Sequence, residues 1–461
     1  MIHSKKLRQG LAALLFIAML VPTPVWPMSV GEEVEIGREL AQKFIVTLPM
    51  VEDPEINRYV RRIGLHVVDS NQPQLFQYHF YVVRNNSINA FALPGGFIFV
   101  NTGLIMVCDS EAELAGVLSH EIGHVTNRHI SRRIEKMSKM NLLALAALIA
   151  GAFLAKDAET FAAVASAGLA VSSTASLAYS RTDEEEADRT AVRYMRAAGY
   201  RPDAMYTFMQ KLLGDSPDPT LYPPYMSTHP FPTQRVGYLA GLSDPLGMDV
   251  GRLERTPGRF RKIQIMLIAQ EKDLEDAINT FRDMQFADPD DPDALYGMAL
   301  AYARQRRDEQ ALQYFSQAIS LRPQDSVYRR DLGIFELKRG RVEPALASLE
   351  QSYQLNSDDL TTLMYLGLAF QEDERFEQAA VYFERGMNLD DEELNFVYHL
   401  GRSRGAAGDV CAGHYYLALY YERLGNKRLA EQNFKRAQEE CSESPQFLKL
   451  VQDHLETANR P

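Results

Sequence analysis

Three cysteines in 461 residues are too few for a disulfide-built scaffold. The 46% hydrophobic content supplies a conventional core instead. Positive charge is also short, 49 Lys and Arg against 61 Asp and Glu, a formal net charge of −12. That balance argues against duplex binding, and no nucleic-acid partner is expected. Long apolar runs are missing too, since residues 11–21 and 141–155 fall short of the roughly 20 a bilayer span needs. A G-x-S-x-G pattern and a plausible catalytic cysteine are both absent, which turns attention from covalent catalysis. The length suggests two or three domains.

The first residues have the layout of an export signal. Lys5, Lys6 and Arg8 precede the apolar run, and a proline-rich stretch, 22–27, follows it. No A-x-A stands before Met28, so cleavage is expected between Trp26 and Ser29, with an uncleaved anchor as the alternative. No cysteine is available there for a lipid. Residues 1–27 are read as a signal peptide leading to an exported compartment.

From Val30 to about Val68 the apolar residues Val34, Ile36, Leu40, Phe44 and Ile45 follow a helical period. Residues 77–83 alternate and are aromatic and β-branched, which predicts a strand. Pro94-Gly95-Gly96 turns the chain into a second strand, 97–100. That strand could offer an edge to an extended peptide or be an ordinary core strand. The helical period resumes after Asp109, with Ser110 as cap and Glu111 and Glu113 at the helix's positive end.

This helix carries His120-Glu121-Ile122-Gly123-His124. Residues four apart share one helix face, so two imidazoles can bind one Zn²⁺ while Glu121 stands beside them to take a proton from water. A mid-helix glycine costs about 1 kcal/mol relative to alanine, so Gly123 also asks for a reason. A hydrolytic zinc needs a third protein ligand. The acidic run from Asp183 to Asp188 opens another helix, capped by Ser180 or Thr182. Glu184 and Asp188 are four apart on one face, so one could ligate while the other supports a histidine. Spacing does not choose between them, and Glu185 and Glu186 read as solvated.

Asn89-Ala90-Phe91-Ala92-Leu93-Pro94-Gly95-Gly96, the H-E-x-x-H and the E-x-x-x-D of Glu184 to Asp188 resemble the zinc metallopeptidase family of HtpX and the CAAX prenyl endopeptidases. The resemblance implies one Zn²⁺ per chain, held by His120, His124 and Glu184, with Asp188 supporting the first histidine and Glu121 as the catalytic base. The family's Thr-His-Pro followed by an arginine matches Thr228-His229-Pro230 and Arg235. By that likeness His229 approaches the metal or the oxyanion, and Arg235 assists the site. Membrane members of the family have spans near residues 141–178. Here that stretch is interrupted by Lys156, Asp157 and Glu159, and a hairpin packed on the peptidase is expected, with peripheral membrane contact as the alternative.

The last third repeats. Leu295, Met298, Ala299, Tyr302, Ala311, Phe315, Ala318 and Pro323 follow the tetratricopeptide spacing. The pattern returns 34 residues on at Leu332, Gly333, Ala345 and Leu349, and again at Leu366, Gly367, Phe370, Ala379 and Phe383. Ala277, Phe281 and Pro289 mark a degenerate first unit, and the register breaks after Gly401 before Leu417 to Ala437 restore it. Stacked units leave a concave surface for partners. Cys411 and Cys441 fall at ends of antiparallel helices and are expected to form a disulfide.

The fold class expected is α+β, mostly α: a zincin-type metallopeptidase domain with a small sheet, residues 28–255, then an α-solenoid of tetratricopeptide repeats, 256–461. The combination resembles periplasmic family members that serve outer-membrane protein quality control. It implies a zinc metalloendopeptidase acting on unfolded or stalled outer-membrane β-barrel proteins, with the repeats docking to the assembly machinery. A chaperone with a shut site and a membrane-associated peptidase are the competing readings.

Overall fold

The computed structural model describes residues 28–136, 179–214, 224–230, 232–243, 252, 254–256, 258–391, 393–441 and 448–452. The expected signal peptide and the apolar stretch 141–178 lie outside the described residues. Two compact units divide at Leu267 and Ile268.

In the first unit, the helical stretch after Val30 is two helices, α1 (Val30–Thr47) and α2 (Pro54–Asp69). Prolines make the break: Leu48 precedes Pro49 and is extended, as a pre-proline residue prefers. Pro54 then opens α2, whose Asp53 cap accepts from the backbone of Glu55 and Ile56. The sheet comprises β1 (His79–Val83), β2 (Ala90–Leu93) and β3 (Phe97–Asn101) in the order β1-β3-β2. β1 runs parallel to β3 and β2 antiparallel to it. β3 is therefore the central strand, so of the two readings of 97–100 the core strand holds and the peptide edge does not. The turn before β3 needs glycine: Gly96 has φ 101°, and a Cβ there would lie 2.2 Å from the carbonyl oxygen of Gln77. Phe44 of α1 meets Phe91 and Phe99 edge-on across the sheet, at centroid distances of 5.7 and 5.8 Å.

After a short helix, α3 (Thr102–Val107), comes α4 (Glu111–Thr126), buried from Glu111 to Val125. Ser110 caps it by accepting from the Glu113 amide. The two acids of its first turn are buried but bonded. Glu111 accepts from Tyr59, from Tyr200 at 2.7 Å and from the Arg255 amide, and Glu113 meets Lys211 at 2.8 Å. There follow α5 (His129–Lys136), α6 (Arg181–Ala197), α7 (Asp203–Leu213), α8 (Pro224–Thr228), α9 (Pro232–Ser243) and α10 (Arg259–Glu271). Ser180 caps α6 in a reciprocal box with Asp183. Gly123 now has its reason: a Cβ there would lie 2.8 Å from the carbonyl oxygen of Ala187. Its hydrogen lets α6 approach the histidine face of α4.

In the second unit, Leu274–Ala287 precedes helices that begin at Pro292, Ser326, Leu360 and Leu394, each followed by one beginning at Asp308, Val342, Phe376 and Val410. Both series advance by 34 residues, the tetratricopeptide repeat. Large and small residues interlock, as where Gly367 faces the Phe383 ring. The last described long helix, Lys427–Glu440, begins 17 residues after Val410, half a repeat, and Val410–Arg423 packs closely against the helices both before and after it. That shared helix is the register break seen after Gly401. Cys411, in its first turn, is bonded to Cys441 at the end of the last helix. Among the described residues no helix is long and apolar enough to cross a membrane.

Candidate metal centre

Helix α4 presents His120 and His124 one turn apart, with their Nε2 atoms 3.0 Å from each other. Helix α6 contributes Glu184 and the end of α8 contributes His229, all four side chains being buried. Nδ1 of His229 lies 3.2 Å from Nε2 of His120 and 3.1 Å from Oε1 of Glu184. Oε1 of Glu184 lies 3.5 Å from Nε2 of His124. One donor atom from each residue falls within 4.8 Å of all the others. Metal–ligand bonds of about 2.0–2.1 Å in a tetrahedron set ligand atoms roughly 3.3 Å apart, so these spacings fit a small divalent cation. Imidazole nitrogens turned toward one another also have no other chemistry to share than a proton or a cation.

Each ligand candidate is held from behind. Nδ1 of His120 donates to Oδ1 of Asp188 at 2.7 Å, which turns its Nε2 toward the centre. Arg235 of α9 donates from Nε to Oδ2 of Asp188 at 2.8 Å and from Nη2 to Oδ1 at 2.7 Å, and its Nη1 forms an ion pair with Oε2 of Glu184 at 2.6 Å. Tyr238 donates to Asp188 as well. The ring of His124 stacks on Tyr179 at 3.7 Å, and that of His229 on Tyr225 at 4.4 Å.

Glu121 is fully buried, and neither of its carboxylate oxygens makes a hydrogen bond; Oε1 stands 3.4 Å from Nε2 of His229. Burial pushes its pKa up against the pull of His229 and His120. Glu184 is also buried, yet Arg235 and His229 hold its carboxyl well below the usual range. Burial and Arg235 oppose a charge on His120, but Asp188 outweighs them and its pKa is pushed up to about 9. Burial and neighbouring His120 hold His124 well below the ordinary imidazole value. Glu184 therefore stays anionic while the Glu121 carboxylate is the more basic, a division suited to cation binding beside a proton acceptor.

Every predicted site residue of the peptidase region meets at this centre: His120, Glu121, His124, Glu184, Asp188, His229 and Arg235. The structure adds His129, Tyr179, Tyr225 and Tyr238. Only a histidine shortly after the H-E-x-x-H hinted at the first, and aromatic residues in loops carried no signal.

Residues 54–243 match peptidase family M48, and residues 292–325 match the tetratricopeptide repeat. The beta-barrel assembly-enhancing protease of Escherichia coli K12 is 30% identical over 210 residues, 45% of this chain and 43% of that protein. That of Yersinia pestis is 32% identical over 211 residues, with the same shares. The mitochondrial metalloendopeptidase OMA1 of Schizosaccharomyces pombe is 28% identical over 178 residues, 39% of this chain and 50% of that protein. The matched region thus takes in about half or less of each relative. All seven residues of the centre fall inside the matched segment, and the chain carries a peptidase family M48 domain followed by tetratricopeptide repeats.

Proposed function

We propose that the chain is an exported, zinc-dependent metalloendopeptidase that cleaves unfolded or stalled outer-membrane β-barrel proteins and assists their assembly. The observation that carries the peptidase reading is the unbonded, buried Glu121 carboxylate beside four converging donor atoms. His120, His124 and Glu184 would hold zinc, with Asp188 and Arg235 fixing His120 and Glu184 in place. Zinc bound there supplies Lewis acidity, which brings the pKa of a water to about 7 and polarises a carbonyl. Glu121 takes the proton of the attacking water and returns it to the leaving amine, a task its burial-raised basicity suits.

A catalytic centre keeps one position open, whereas a centre with four protein donors is closed. Nδ1 of His229 is the fourth donor in this arrangement, so His229 must swing away before a peptide can enter. In its place the side chain can then face the oxyanion. With β3 internal, an extended substrate would pair with β2, an edge strand of the sheet among the described residues.

The substrate class and periplasmic location rest on the names of the relatives, the signal-like leader and the Cys411–Cys441 bond, which suits an oxidising compartment. The repeat array would dock the assembly machinery. Zinc content and cleavage of an unfolded β-barrel precursor test the whole reading. Glu121→Gln should keep zinc and lose cleavage, and His229→Ala should cleave faster. Binding of the precursor without cleavage by every form, at stoichiometric zinc, would leave a chaperone with a shut site.

A further inference from the structure

The strongest feature outside this assignment is what stands behind His124. Nδ1 of His124 lies 2.8 Å from Nδ1 of His129, and both rings are buried. The other nitrogen of His129, Nε2, lies 3.0 Å from Oε2 of Glu186, which also accepts from Arg132 at 3.1 Å. A histidine that offers Nε2 to a cation carries its proton on Nδ1. His124 must then donate to Nδ1 of His129, which has to be the bare nitrogen, and His129 donates from Nε2 to Glu186. One tautomer is thus dictated along the whole row.

The backbone is bent to make this contact. A continuous helix would turn residues 124 and 129 about 140° apart on its circumference. Instead α4 ends at Thr126, Arg128 takes φ 54°, and α5 begins at His129. A positive φ is unfavourable for arginine, and this one is held by Nε of Arg128 on the buried Glu33 carboxylate at 2.7 Å and by Nη2 on the Met28 carbonyl at 2.6 Å. His129, Asp183 and Glu186 could themselves be taken for a second cation group. Arg132 already stands 3.4 Å from Asp183 and 3.1 Å from Glu186, and its charge supplies what a cation would.

We infer that His129 is a positioning residue for the metal, a neutral imidazole that accepts from His124 and fixes the ring edge while Tyr179 fixes its plane. The inference rests on the metallopeptidase reading above. It gives the second histidine a support different in kind from the carboxylate of the first: Asp188 adds negative charge behind His120, whereas His129 adds an acceptor with no charge.

The test compares zinc affinity by chelator competition, and the visible band of the Co²⁺-loaded protein, in the full chain and in His129→Leu, His129→Asn and Glu186→Ala. Removing a support of this kind typically weakens metal binding about 10–100-fold, the loss expected for His129→Leu along with a shifted Co²⁺ band. His129→Asn, whose amide oxygen can accept at nearly the same point, should recover most of the affinity. Glu186→Ala leaves the interior untouched and should weaken binding several-fold. Equal affinity and an identical band in His129→Leu and the parent would overturn the inference, as would an Asn variant no better than the Leu one. If the Leu variant does not fold, an unchanged Glu186→Ala overturns it instead. A parent chain with no zinc affinity would sink the metallopeptidase reading, and this one with it.

Discussion

Arg235 grips Asp188 at two points, Nε to Oδ2 at 2.8 Å and Nη2 to Oδ1 at 2.7 Å, with both side chains buried. The same guanidinium reaches Glu184, so one cation serves two carboxylates that stand one turn apart on α6. Through Asp188 the grip extends to Nδ1 of His120. The arginine thereby couples three helices to one donor atom. Its planar fork suits two-point binding in a way that a lysine ammonium does not.

Removing Arg235 should therefore destabilise more than most single changes. Arg235→Leu leaves two buried carboxylates without their cation, a loss of about 3–5 kcal/mol. Arg235→Lys keeps the charge but not the fork, and should lose about half as much. Urea midpoints at constant slope check both. A loss under about 1 kcal/mol for the leucine variant would mean that the pair is not stabilising the domain.

Gly123→Ala makes a sharper case because helix propensity and packing disagree in sign. Alanine in a helix interior should gain about 1 kcal/mol over glycine. The added Cβ would fall 2.8 Å from the carbonyl oxygen of Ala187, a backbone atom that can yield only by moving α6. Since α6 carries Glu184 and Asp188, the variant should melt lower and bind zinc more weakly. A higher melting point would show that the two helices can part without consequence.

How much of this centre could be read from the sequence follows from which geometry is local. Helical spacing brings His120 and His124 to one face, and the cap at Ser110 is a local hydrogen bond, so both were legible, whereas Ser180 stood beside Thr182 as a candidate until the structure chose it. Glu184 and Asp188 share a face too, and for that reason spacing could not rank them. Only their partners separate them, Nδ1 of His229 for one and Nδ1 of His120 for the other. His129 was hidden because the helical period sends it away from His124, and the left-handed Arg128 that brings it back has no sequence signature. The middle place of β3 depends on a parallel pairing with β1 across intervening chain, which alternation alone does not encode. In the repeats, by contrast, each unit contacts its sequence neighbours, and the 34-residue period was plain.

The bond between Cys411 and Cys441 closes a loop of 30 residues at the end of the array. A cross-link of that span restricts the unfolded chain by about 3–4 kcal/mol. Reduction, or replacement of both residues by serine, should loosen the two helices it joins while leaving zinc content unchanged. Amide exchange over 410–440 measures this, and equal protection with and without reductant would show the link to be dispensable.

His399 gives the repeat unit a dependence on pH. Burial, then the nearby Arg402, lowers its pKa from the ordinary 6.5 to about 4. Its Nδ1 faces the Gln371 amide oxygen at 3.2 Å and its ring stacks on Phe383 at 5.2 Å, neither of which supplies a negative charge. The native state thus holds the neutral imidazole while the unfolded chain binds a proton more readily. Its stabilisation is complete above pH 6.5 and is lost as the pH falls from there through 4. Because the ring is part-exposed, solvent screening reduces the effect to about 1–2 kcal/mol. His399→Phe keeps the stack and cannot titrate, so its unfolding midpoint should fall less between pH 7 and pH 4.5 than the parent's. Parallel curves for the two proteins would place the acid sensitivity elsewhere.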